Sequence, residues 1–209
     1  MSVCLNKCKI TSLAVEVTSI MQDIELTKTD RQLLLYDIFK GSQQIAFEDI
    51  TSRLPIDKKM IQRDMKDLTA AGLIRVHYSR KERAYIKDTE KPVVFDDSIK
   101  GKRRIHLTKL RRIGVLMDQL NMYTNSDYWD DKDDYFSCKR CYYQLFPAST
   151  ERMRQRDFAQ LNRIGYWIRY DNYDRRYRMW GSKNLREDFG VYKEDGKLMR
   201  HSDEKYDVL

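Results

Sequence analysis

Glycine and proline are scarce in this chain, with eight and three residues among 209. So few glycines leave little material for a glycine-rich phosphate loop or a mobile active-site lid. The three histidines, His77, His106 and His201, are far apart and make no ligand spacing. No paired catalytic carboxylates and no nucleophile motif stand out, so an enzyme is not expected. No stretch of about 18 apolar residues exists, which excludes a membrane-spanning helix. The short apolar patch Leu13–Val17 is interrupted by Glu16 and lacks a cleavage site, so no signal peptide is expected. Four cysteines, Cys4, Cys8, Cys138 and Cys141, are too few for a disulfide scaffold in a chain of this length. A reducing, cytoplasmic setting follows as the expectation.

What is abundant is charge. Asp, Glu, Lys and Arg make up 34% of the chain, and the formal net charge is +8. An excess of this sign favours an anionic partner. The excess lies in residues 28–106 and 107–183, while the two ends are slightly acidic.

Two segments resemble each other, Leu54–Ile86 and Phe146–Met179. Each opens on a hydrophobe and a proline, and each carries Gln-Arg-Asp, as Gln62-Arg63-Asp64 and Gln155-Arg156-Asp157. Each continues to a leucine (Leu68, Leu161), a glycine (Gly72, Gly165), a β-rich stretch, a polar turn and an arginine (Arg83, Arg176). Such a repeat marks a duplicated supersecondary unit.

The local reading is the same in both copies. In the first, Asp30–Lys40 has helical apolar spacing and ends at Gly41, and Phe47, Ile50 and Leu54 make a short helix stopped by Pro55. A third helix starts at the N-cap Asp57 and buries Ile61, Met65 and Leu68. Leu73–Tyr78 and Ala84–Ile86 then read as strands around the turn Ser79–Arg83. In the second copy the first helix carries Leu107, Leu110, Ile113, Leu116, Met117 and Leu120. Ser137–Phe146 is the second helix, Ser149 caps the third, and Tyr166–Tyr170 and Tyr177–Met179 are strands around Asn172–Arg175. The expected fold is α+β, mainly α: two tandem winged helix-turn-helix domains, each with three helices and a β-hairpin wing. The expected boundaries are an N-terminal extension 1–27, domain one 28–88, a linker 89–106, and domain two 107–181 with an insertion at 123–136. A tail, 182–209, carries a hairpin at Asp195-Gly196.

A helix enters the major groove of B-DNA with its first turns against the base edges, where Arg and Lys read guanine and Gln reads adenine. The first third-helix offers Lys58, Lys59, Gln62, Arg63 and Lys66, and the second offers Thr150, Arg152, Gln155 and Arg156. The wing turns add Arg80, Lys81 and Arg83, then Arg175 and Arg176, in positions suited to phosphate or minor groove. The partner these residues imply is double-stranded DNA. Arg63 and Arg156 have a competing reading as ion-pair partners of Asp64 or Asp157, or of a neighbouring helix.

The stretch DKKMIQRDMKDLTAAGLI, from Asp57 to Ile74, resembles the third helix of DeoR-type winged helix repressors and the N-terminal module of WYL-domain transcriptional regulators. LNRIGYWIRY, Leu161 to Tyr170, resembles the helix end and first wing strand of the same pattern. The likeness covers about 130 residues and implies a transcriptional regulator acting at the bacterial nucleoid. The chain departs at Arg154, where the family buries an isoleucine, so either the helix start is shifted by one residue, with Met153 packing instead, or Arg154 is exposed. No effector domain of the WYL kind is seen, so no small-molecule effector is implied, and a homodimer stays open. Two other readings compete: a plasmid-type replication initiator with two winged helices, and a protein-docking adaptor without sequence preference.

Three features lie outside this scheme. Cys138 and Cys141, with Cys4 and Cys8, have the number for a zinc site, but on a helix Cys138 and Cys141 serve equally as small core residues, and no metal or cofactor is assigned. Asn125–Tyr135 mixes five aspartates with aromatics, without the glycine of a calcium loop, and reads as a solvated loop or a partner contact. Lys100, Lys102, Arg103 and Arg104 end the linker and suit backbone contacts to DNA.

Overall fold

In the computed structural model, residues 23–90, 92–125, 137–179 and 190–201 are described. They form an α+β fold with six helices and three small antiparallel sheets. None of these helices is long and apolar enough to cross a membrane. Most of the N-terminal extension 1–27 falls outside the described residues, as do Cys4, Cys8 and nearly all of the acidic-aromatic insertion.

The first half runs α1 (Lys28–Lys40), β2 (Gln44–Ala46), α2 (Phe47–Arg53), α3 (Lys58–Ala70), β3 (Val76–Ser79) and β4 (Ala84–Lys87), preceded by β1 (Ile24–Glu25). Thr27 and Asp30 form a capping box that starts α1: the Asp30 amide donates to the Thr27 hydroxyl and the Thr27 amide to the Asp30 carboxylate. The run Leu33-Leu34-Leu35-Tyr36 is too apolar for a surface helix. Accordingly α1 is buried on nearly every side, with Asp30, Gln32 and Asp37 buried as well. Asp57 caps α3 by accepting the Met60 amide at 2.8 Å. Past the end of α3, Gly72 adopts φ +69°, and a Cβ there would lie 2.7 Å from the backbone nitrogen of Phe95. Only glycine fits this bend. The sheet order is β2-β4-β3, with β4 central. The short strand β2 was not expected from the sequence, because three residues ahead of a helix carry no alternation to read.

The second half runs α4 (Gly101–Asn125), α5 (Cys138–Leu145), α6 (Glu151–Arg163), β5 (Ile168–Asp171) and β6 (Arg176–Met179). Two sequence expectations need correction. The first is the start of α4: it begins at Gly101, inside the segment read as a linker. Basic residues in a first turn oppose the helix dipole, which disguised the start, yet nothing after Gly101 breaks the helix. The rest of that segment is not loose either: the Asp96 amide donates to the Ala70 carbonyl, and Phe95 packs on the core. The second is the cap of α6, which is Thr150 and not Ser149; Thr150 has the extended backbone and its hydroxyl accepts the Met153 amide.

Strands β7 (Val191–Glu194) and β8 (Lys197–Arg200) form a hairpin whose turn residues Asp195 and Gly196 both have positive φ. β8 also pairs with β1, so the C-terminal hairpin is tied to the entry of α1. One continuous hydrophobic core passes through both halves, from Leu33 and Phe39 on α1 to Leu110 and Leu116 on α4 and Leu161 on α6.

Candidate nucleic-acid interface

Each half is organised around one buried aspartate. Asp64 on α3 accepts a two-pronged contact from Arg31 on α1, Nε at 2.6 Å and Nη2 at 3.1 Å. Asp157 on α6 accepts the same contact from Arg112 on α4, at 2.5 and 2.9 Å. Gln32 adds a bond to Asp64, and the Tyr142 hydroxyl adds one to Asp157. The likeness goes one helical turn further. Lys28 reaches Asp67 at 2.7 Å, and Lys109, in the matching place on α4, reaches Gln160 at 2.7 Å. Fork-shaped Arg–carboxylate pairs fix orientation as well as distance, so each pair sets the roll of its third helix against its first.

That roll decides which residues face out. With each aspartate taken by an arginine from another helix, the preceding Gln-Arg turns to solvent. Gln62 and Arg63 are exposed on α3, and Gln155 and Arg156 on α6. The reading of Arg63 and Arg156 as partners of their neighbouring aspartates is thereby corrected. Lys58, Lys59 and Lys66 are exposed on the same helix as Gln62, and Lys58 Nζ stands 4.0 Å over the Tyr78 ring. On α6, Arg152 is exposed, while the Thr150 hydroxyl is committed to the helix end.

The turns of the two hairpins, β3–β4 and β5–β6, have one geometry. In each, the arginine before the second strand takes a left-handed backbone: Arg83 at φ 50° and Arg175 at φ 51°. In each, a side chain at the end of the first strand accepts an amide from across the turn: Ser79 from Glu82, Asp171 from Asp174. Arg80, Lys81, Arg83 and Arg175 are exposed. Arg176 differs: it turns back to Asp174 at 3.1 Å and is half-buried, so it braces the turn.

The two third helices are not interchangeable. Superposing Asp157 on Asp64 sets Glu151 against Lys58 and Ala159 against Lys66. Glu151 is held by Arg154, accepts the Tyr143 hydroxyl at 2.7 Å and lies 4.0 Å from Lys139. The Arg154 bond, with the Tyr143 hydroxyl next, brings its carboxyl down to about 2. Arg154 itself is 1% exposed and sits in the place of Ile61. Its guanidinium lies 4.8 Å over the Phe158 ring and 4.3 Å over the Tyr177 ring. Both sequence readings of this position are therefore overturned: the register is not shifted, and the arginine is not exposed. Two aromatic faces and a carboxylate let a cation fill an isoleucine site.

The basic end of the expected linker lies near this surface: Arg103 and Arg104, with Ile105, which the sequence did not single out, are on the first turns of α4 and border both third helices. Arg103 borders a groove with Gln62 and Lys66, and Arg104 and Ile105 border another with Met153, Arg156 and Ala159. Arg31 and Arg112 were missed because the insertion in the second copy changes their spacing to the Gln-Arg-Asp triplet, so no alignment of triplets reaches them.

Cys138 and Cys141 are buried, and burial pushes their thiols up to about 12 and about 11. They pack as small core residues, and no cluster of three or more metal-ligating side chains occurs among the described residues. Comparison with known protein families, with curated protein sequences and with solved structures found no match to the chain.

Proposed function

We propose that the chain is a sequence-specific double-stranded DNA-binding protein, a transcriptional regulator made of two tandem winged helix-turn-helix modules, and that it acts by binding without catalysis. The observation that carries this reading is the duplicated buried Arg–Asp pair. It turns the same Gln-Arg dipeptide outward on α3 and on α6, beside exposed basic residues and a basic hairpin turn. Helices of this length fit a major groove, and the flanking hairpins supply backbone contacts. The order helix, strand, helix, helix, hairpin in the first half and helix, helix, helix, hairpin in the second supports the winged helix reading. So does the resemblance of Asp57–Ile74 to DeoR-type repressors. Such a protein works on the bacterial nucleoid, in the cytoplasm.

The test is selection of purified protein on a randomised duplex pool at near-physiological salt, followed by sequencing. Enrichment of a defined motif is the expected result. Retention of DNA without enrichment would make it a non-specific binder, and no retention would move the assignment to a protein-docking adaptor. A motif found as an array of repeats at an origin would favour a replication initiator over a promoter-bound regulator.

A further inference from the structure

The contacts between the two halves are reciprocal. On α1, Asp30 takes bonds from Gln160 and from Arg163, the latter at 3.0 Å, both near the end of α6. On α4, the residue matching Asp30 is Arg111, and it donates to the Ala71 carbonyl at the end of α3. One turn on, Gly114 lies so close to Leu73, just past α3, that a Cβ would come within 2.7 Å of the leucine side chain. The first helices also meet each other, with the Tyr36 hydroxyl and Lys40 both on Asp118 at 2.7 and 2.6 Å. Thus each first helix packs on the other first helix and on the third helix of the opposite half. A head-to-tail arrangement would give one of the two cross contacts without the other. Having both is the signature of an isologous, two-fold interface, here between two halves of one chain.

The exposed faces of α3 and α6 border the same short stretch of α4: Arg103 on one side, Arg104 and Ile105 on the other. Ile105 is 72% exposed. The two third helices therefore flank one shared basic strip on α4.

From this geometry we infer that one copy of the chain binds one duplex carrying two half-sites in inverted orientation, and that the two half-sites differ in sequence. The inference rests on the DNA-binding reading above and adds its target class. The inversion follows from the two-fold relation. The inequality follows from Lys58 and Lys66 being matched by Glu151 and Ala159, with Glu151 already engaged by Arg154 and Tyr143. The duplex backbone is the occupant that charge complementarity selects for the exposed Lys102, Arg103 and Arg104 between the half-sites, the two arginines being also paired with Asp67 and Asp97.

The test uses the full chain and the duplex recovered by selection. Native mass spectrometry gives the stoichiometry, and binding of Lys59→Ala and Arg152→Ala to duplexes altered in one half-site gives the assignment. The expected result is one chain per duplex and an imperfect inverted motif. Each variant should lose discrimination in one half only, by roughly tenfold. Both residues are exposed, so the variants keep the fold. Half-sites in direct orientation, or two chains per duplex with each variant affecting both halves alike, would overturn the inference while leaving DNA binding intact. Selection without any motif would instead remove the reading on which it rests.

Discussion

Asp64 and Asp157 are buried carboxylates, each held by an arginine fork from the first helix of its half. Removing one member leaves the other charge buried without its partner. Asp157→Ala strands both Arg112 and Tyr142, and a loss of about 3–5 kcal/mol is expected in urea unfolding. A loss below about 1 kcal/mol would show that the pair does not organise the helix. Arg154 is expected to behave in the opposite way. Its site is an isoleucine site in the other half, so Arg154→Ile should keep or raise the unfolding midpoint, since apolar replacement of a buried ion pair is often neutral or stabilising. A marked loss would mean that the cation–π contacts with Phe158 and Tyr177 outweigh desolvation. At this scale the sequence was partly legible. The repeated Gln-Arg-Asp identified the right helices and their outward residues. The arginines that fix those helices, Arg31 and Arg112, are distant in sequence and surrounded by other charges, so no local pattern distinguishes them.

Among the elements, the third helices and hairpins were legible because their signals are local: an N-cap three residues before an amide, a stripe at helical spacing, a turn between alternating residues. The start of α4 was not, since Lys102, Arg103 and Arg104 resemble a charged linker until tertiary contacts with Asp67 and Asp97 are known. Two groups where α1, α3 and α4 meet give this packing a pH dependence. Burial, aided by Lys28, lowers His106 below its ordinary 6.5, while its ring contacts Gln32 at 2.9 Å. Burial opposes ionisation of Asp67, but bonds from Lys28, Gln32 and Arg103 outweigh it and hold the carboxyl below 3.8. A lowered folded value means that the unfolded chain binds the proton more readily. Both contributions are therefore complete above the unfolded value and are lost as pH falls through the folded one. Stability should decline first below about 6.5, from His106, and again below about 4, from Asp67. Urea midpoints from pH 8 to 4 measure this, and His106→Gln should flatten the decline between pH 7 and 5. An unchanged profile in that variant would discard His106 as the source. The turns of these hairpins carry a separate expectation. Arg80 is exposed on the first turn, so Arg80→Ala should weaken binding to every duplex and lower the salt slope by about one. Lys59→Ala should instead weaken binding mainly to the selected sequence. A selective loss from Arg80→Ala at an unchanged slope would contradict this assignment.

For the whole molecule, the repeat predicted two similar units but not how they meet. A single core runs through both, and α1 and α4 each serve the opposite half as well as their own. This is why α1 could be so apolar: Leu33, Leu34 and Leu35 satisfy neighbours on several sides, a demand invisible in a local window. The net charge of +8 pointed to an anionic partner, and the arrangement of exposed residues on α3, α6 and the first turns of α4 gives that charge a direction. Under the proposed function, Arg63 and Arg156, freed by the duplicated Arg–Asp pairs, face nucleic acid. The most direct measurement is a fluorescence anisotropy titration of a labelled selected duplex across a salt series, with the intact chain and with Arg63→Ala/Arg156→Ala. Tight binding by the intact chain and a salt slope about two units shallower in the double variant are expected. Equal slopes and affinities for both proteins, or no binding by the intact chain at low salt, would contradict it.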